Sequence, residues 1–222
     1  MNLTVSLVTL LHILVFVYWL GGDLGAFFAS YTLIDESKPV EVRLFALKVV
    51  NNVDMAPRTG LILALPTGLL LASIKGWLVL SDAALTLTWI AAAGWLVLVW
   101  RIHLKHLPLT AIERRIDIAV RWILVVGLVA TGLARLSGHA EEVPLFIALK
   151  CLLLASAVVA GLLVRRTLGP LFEAVRAMSL HGPTAAGDAV IRRVITRRSK
   201  PAVLMIWIFI LAAALCGIAK PM

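Results

Sequence analysis

The chain has 222 residues, 61% of them hydrophobic and only 15% charged, with a mean hydropathy of +1.00. A soluble domain of this size has no means of hiding so much apolar surface, so composition excludes one and points to a polytopic membrane protein. The net charge of +9 reads as orientation signal and attraction to anionic headgroups: the basic residues lie in loops beside apolar runs, and no aromatic-basic nucleic-acid module occurs.

Six apolar runs approach the ~20 residues that a bilayer crossing needs. They fall at 4–30, 58–80, 84–104, 119–137, 144–166 and 200–219. The expected fold class is therefore all-α, a polytopic membrane helix bundle of about six transmembrane helices forming a single membrane domain over 1–222. The first run lacks a basic n-region and is too long for a signal-peptide core, so it reads as a retained span. A turn near 81–83 joins the second and third runs in a tight hairpin, and Pro66 is expected to kink the second.

Lysine and arginine divide between the two sides. The loop after the first span carries Lys38, Arg43, Lys48 and Arg58; the one after the third has Arg101, Lys105, Arg114, Arg115 and Arg121; the one after the fifth runs from Arg165 to Lys200. The opposite loops hold little beyond Lys75 and Arg135. The positive-inside rule then places both termini on the outer (periplasmic) side of a bacterial cytoplasmic (inner) membrane. Segments 39–54 and 170–198, the latter split at Gly182-Pro183, mix apolar and basic positions at helical spacing and read as interfacial helices anchored in headgroups.

His12 sits inside the first span, where an ionisable residue is costly unless paired or ligated. Helical periodicity puts Phe16, Trp19 and Asp23 on its face, with Thr9 close by. The other face carries Gly21, Gly25 and Ala29, a small-residue pattern that permits close helix approach. At 1.5 Å per residue His12 lies ~12 Å below the outer end of its span, and Lys150 lies ~9 Å into the fifth, at comparable depth. Two like cations repel, so one is neutral or bound to something. Haem satisfies that demand, with iron accepting the nitrogens and Arg135 pairing with a propionate. The alternative is a snorkelling Lys150 and a His12 bonded to backbone or Thr9.

The stretch LLHILVFVYWLGG, with its histidine followed by a tryptophan and paired glycines, resembles the first span of the CopD and HemJ-type membrane proteins. PLFIALKCLLLASAVVAGLLVRRTLGPL resembles a later span of the same superfamily, in which a lysine precedes a leucine-rich helix ending in basic residues and proline. His12 and Lys150 are the matching positions. The resemblance implies haem b held by these two residues in the HemJ branch, and copper uptake in the CopD branch. The chain is longer than HemJ, with an additional hairpin at 58–104, and lacks the methionine-rich outer motifs of CopD.

The expected cofactor site is therefore His12, Lys150, Arg135 and Trp19, with His12 and Lys150 as ligands of haem iron. Copper is the alternative cofactor, bound by Cys151 and Cys216 together with His12 or His139. The expected function is a haem b-binding membrane protein with a redox role, either electron transfer or oxidation of a porphyrin-type substrate. Copper transport is one alternative and a cofactor-free scaffold or assembly subunit another. Expected partners are the lipid bilayer and a quinone or redox partner protein, with a homo-oligomer left open and no nucleic acid. Two further clusters stand out. His103 and His106 suit a metal or, more simply, an interfacial cap; Asp23, Asp54, Arg58 and Arg101 suit a quinone headgroup, a proton path or plain salt bridges. The segment from Thr67-Gly68 to Arg101 also echoes that from Thr131-Gly132 to Arg165 at the same spacing.

Overall fold

A computed structural model describes residues 3–106, 108 and 110–220. Within them the chain forms α1 (Leu3–Ile34), α2 (Val40–Val53), α3 (Met55–Ile74), α4 (Asp82–Leu104), α5 (Ile112–Leu136), α6 (Leu145–Thr167), α7 (Gly169–His181), α8 (Ala185–Arg193) and α9 (Lys200–Ala219). A π-helical segment, Val194–Ser199, makes α8 and α9 continuous. Six stretches among the described residues are long and apolar enough to cross a membrane: α1, α2–α3, α4, α5, α6 and α8–α9. The chain is a polytopic membrane helix bundle, as its composition requires.

Large apolar side chains such as Leu10, Ile13, Val17, Ile123, Val126 and Ile208 remain exposed on these helices. In a soluble protein they would form an aggregating surface; here they face the hydrocarbon. The buried core is narrower. It joins Trp19 of α1, Leu61 of α3, Val125 of α5, Val158 of α6 and Ile206 of α9.

Close approach is arranged by small residues. On α1, a β-carbon at Gly22 would lie 2.5 Å from Cβ of Ala56 and 2.7 Å from Cδ of Pro57, and one at Gly60 of α3 would lie 2.7 Å from Cβ of Trp19. Nothing lies within 4 Å of such an atom at Gly21. The division of α1 into a packed face and a chemical face is thus corrected: His12, Val15, Trp19 and Gly22 all turn toward α3. The glycine that matters is one position along from that expected.

The α3–α4 connection occupies 75–81 rather than a turn at 81–83. Gly76 takes φ +68° and ends α3, while the Trp77 N–H bonds back to the carbonyl of Ala72 at 2.9 Å. Residues 77–80 stay apolar after the helix has ended, and Trp77 packs edge-on against Phe146 with ring centres 5.2 Å apart. Hydropathy alone therefore ran the span too far. α3 itself continues through Pro66 as one helix.

Another local irregularity follows from proline. Pro201 has no N–H for the carbonyl four residues back, and its ring crowds that carbonyl. The wider π turn immediately before α9 is where the helix accommodates this.

At the end of the bundle that carries the basic loops, α2, α7 and α8 pack on one another and on the end of α1. Leu33, Ala46, Val175, Met178 and Ile191 form their shared core. Arg43, only 2% exposed, donates to Asp188 at 2.5 Å and to the Leu33 carbonyl at 3.0 Å. The apolar faces read as headgroup anchors are therefore largely turned toward each other, tying residues 145 apart in sequence. Asp35 accepts from the Ser37 N–H at 3.0 Å and its hydroxyl at 2.6 Å, shaping the turn that leads from α1 into this cap.

Candidate functional site

Away from the basic end, α1 presents His12 to the middle of α3. Its Nδ1 lies 2.8 Å from Oγ1 of Thr67, a residue with no exposed surface. The Thr67 hydroxyl is itself 2.7 Å from the carbonyl of Leu63 and 3.3 Å from that of Ala64. A hydroxyl has one proton, and here it goes to the main chain. Thr67 must then accept from His12, which assigns the proton to Nδ1 and leaves Nε2 with a free lone pair. The imidazole lies over Gly68, where a β-carbon would come within 3.2 Å of Cε1. This is the arrangement of an oriented nitrogen ligand or base.

Thr9, the partner weighed from sequence, instead donates to the carbonyl of Val5 at 2.7 Å. Thr67 was missed because it lies 55 residues away in the chain. The echo between Thr67-Gly68 and Thr131-Gly132 was the one available signal, and it is half kept. Gly132 gives the corresponding close contact, meeting the Leu152 side chain and the Ala148 carbonyl, while Thr131 is exposed.

Lys150 lies on α6, which packs along α9. Its Nζ lies 2.9 Å from where a β-carbon of Gly217 on α9 would be. Lys150 takes part in none of the ion pairs found among the described residues. A glycine thus makes room for each of the two basic side chains, Gly68 for His12 and Gly217 for Lys150. At the end of α5, Nε of Arg135 is buried without a hydrogen-bond partner among the described residues. Both cysteines are free thiols. Among the described residues, no three His, Cys, Asp or Glu side chains gather as ligands for a metal ion. His139 is exposed and bonded to Ser137 at 3.0 Å.

Trp19 belongs elsewhere. It lies ~10 Å along α1 from His12 and donates its indole N–H to Asp23 at 3.2 Å. Both residues line a cavity of about 220 Å³ at the basic end, enclosed by α1, α3, α6, α9 and the cap. Asp54 and Arg58 line it as an i, i+4 ion pair, so three members of the expected acidic-basic cluster do assemble. Arg101 departs: it is exposed and pairs with Glu113. Its place is taken by Arg121 and Arg165, both bonded to the buried Asp117, at 3.2 and 2.6 Å. Trp95 donates to the same carboxylate at 2.8 Å.

His103 and His106 sit at the end of α4 with ring centres 6.3 Å apart, and His103 also stacks edge-on against Trp100. His106 takes φ +47° as the helix ends. This is the geometry of a cap.

The fold defines a multi-pass membrane protein whose first span carries a histidine oriented by a threonine of α3. No protein-family model matches the chain, and neither a curated protein nor a solved structure matches it.

Proposed function

We propose that the protein binds haem b within the half of the bundle away from its basic end, where His12 Nε2 would hold the iron, and serves a membrane redox reaction. The observation that carries this reading is the hydrogen bond from His12 Nδ1 to a Thr67 hydroxyl whose own proton is committed to Leu63. It fixes ring and tautomer, as outer hydrogen bonds to ligating histidines commonly do. The donor set suits the group in two further respects. Lys150 supplies a second nitrogen donor in a span, without an ion-pair partner among the described residues. The unpartnered Nε of Arg135 matches the need of a propionate.

Bound haem would supply a one-electron iron couple, the substrate side being a quinone, a redox partner protein or a porphyrin-type compound. The chain's own residues do the rest. Thr67 orients His12, apolar helix faces exclude water, and Arg135 holds a carboxylate at the membrane edge. The resemblance of the first and fifth spans to the CopD and HemJ-type proteins agrees with this. Orientation with both termini outward, in a bacterial inner membrane, belongs to the same proposal and rests on the basic loops.

The test is the visible spectrum of the detergent-purified protein, oxidised and dithionite-reduced, with haem and copper quantified together. A stoichiometric b-type signal is expected. His12→Ala should abolish haem retention while His181→Ala leaves it intact, and Lys150→Met should change the spectrum or potential. Haem-free protein from haem-supplemented cells overturns the reading.

A further inference from the structure

The basic-end cavity is built differently from the His12 site and is independent of the haem reading. Arg121 is 5% exposed, lines the cavity, and has an Nη2 with no hydrogen-bond partner among the described residues. Its Nε is held by Asp117, so the guanidinium is fixed while Nη2 is left without an acceptor among the described residues. Ser199, last residue of the π segment, also lines the cavity, and its buried hydroxyl has no partner either. Two unpartnered buried donors lining one cavity are costly in a bilayer unless something accepts from them.

Charge indicates what that is. Arg58, Arg121, Arg165 and Lys200 line the cavity, against the carboxylates of Asp23 and Asp54 in its wall and Asp117 behind it. Four cations face three carboxylates, so at least one positive charge is uncompensated. Lys200 makes cation–π contacts with Phe27 and Tyr31 instead of an ion pair, which leaves its charge in place. Apart from Ser30 and Asn51 the remaining wall is mainly apolar, with Leu61, Val158, Val203 and Ile206 among its members. The cavity also lies at the ends of the spans, where lipid headgroups sit.

The geometry points to a binding site for an amphiphile with an oxyanion headgroup. Arg121 Nη2 and the Ser199 hydroxyl donate to its oxygens, and its chain runs along the apolar walls of the spans. Carboxylate and phosphate headgroups share this chemistry. A volume of about 220 Å³ suits a headgroup and the start of a chain rather than a whole large ligand.

The experiment uses the full chain, delipidated in neutral detergent, and follows thermal unfolding on adding a long-chain fatty acid, phosphatidylglycerol, phosphatidylcholine, inorganic phosphate or a neutral short-chain quinone. The fatty acid or phosphatidylglycerol, or both, should stabilise the protein, and which one does so separates carboxylate from phosphate. Ser199→Val removes the hydroxyl and Arg121→Lys removes Nη2, and each should weaken the apparent affinity about tenfold or more. Arg121→Lys keeps the charge, and Ser199→Val breaks no ion pair, so at least one variant remains folded enough to read. Equal stabilisation by phosphatidylcholine or by the quinone overturns the anion assignment. Equal stabilisation by inorganic phosphate overturns the lipid-phase source. Undiminished binding in both variants overturns the site.

Discussion

Among single residues, Thr67 has the greatest consequence for the candidate site. Thr67→Val keeps the volume but removes the acceptor for His12 Nδ1, leaving a buried N–H without a partner at a cost of about 1–3 kcal/mol. If His12 ligates haem, losing its orienting partner should also lower haem affinity about 10- to 100-fold, read as a fall in the reduced b-type absorbance. Thr67→Ser retains the hydroxyl and should restore both stability and affinity. A Val variant with the same haem content and melting temperature as wild type would remove Thr67 from the site. His12 itself was legible as a lone ionisable residue in an apolar run. Thr67 was not, because a threonine in a span commonly bonds its own helix backbone, as Thr9 does.

Helices meet where side chains are absent, and the decisive position is a matter of one residue. Gly22→Ala drives a methyl into Ala56 and Pro57, which have no flexible ends to move, so α1 and α3 must separate at a cost of about 1–3 kcal/mol. Gly21→Ala meets nothing and should be neutral or mildly stabilising, by up to about 1 kcal/mol from helix propensity. Thermal unfolding of the two variants side by side checks this; equal melting temperatures would contradict the α1–α3 packing. The small-residue pattern was visible in sequence, but its direction was not. Gly21, Gly22 and Gly25 are all candidates until the partner helix is placed. The π segment has a similar history: Pro201 marks an irregularity, whereas the aim of Ser199 into a cavity depends on the helices around it.

For the molecule as a whole, the buried Arg43–Asp188 pair ties α2 to α8 within the cap, and the bond from Arg43 to the Leu33 carbonyl fastens both to the end of α1. Arg43→Met should leave Asp188 buried without its partner and cost about 3–5 kcal/mol. The loss should appear as faster tryptic cleavage at Arg192 and Arg193, which are exposed on α8. Removing both charges, in Arg43→Met with Asp188→Leu, should recover much of that loss, since no unpaired charge remains. Cleavage of the single variant at the wild-type rate would show the cap to be held by its apolar core alone. Segments 39–54 and 170–198 were recognisable as amphipathic, yet amphipathicity does not say whether an apolar face meets lipid or another helix. Packing answers that in favour of the other helices.

The sequence by itself determined the class of this protein. Burial of so much apolar surface and satisfaction of every backbone polar group within a bilayer leave a bundle of spanning helices as the outcome for such runs, and those constraints are local enough to read along the chain. It also singled out His12 and Lys150, because charge at depth is conspicuous against an apolar background. Only the tertiary structure decided which groups face them. The Thr67 acceptor, the Gly217 opening beside Lys150, and the transfer of Trp19 and Asp23 to a separate basic cavity all follow from helix rotation and register. Those are set by side-chain packing between segments distant in sequence, and a rotation of one residue, 100° on a helix, is enough to exchange one facing partner for another.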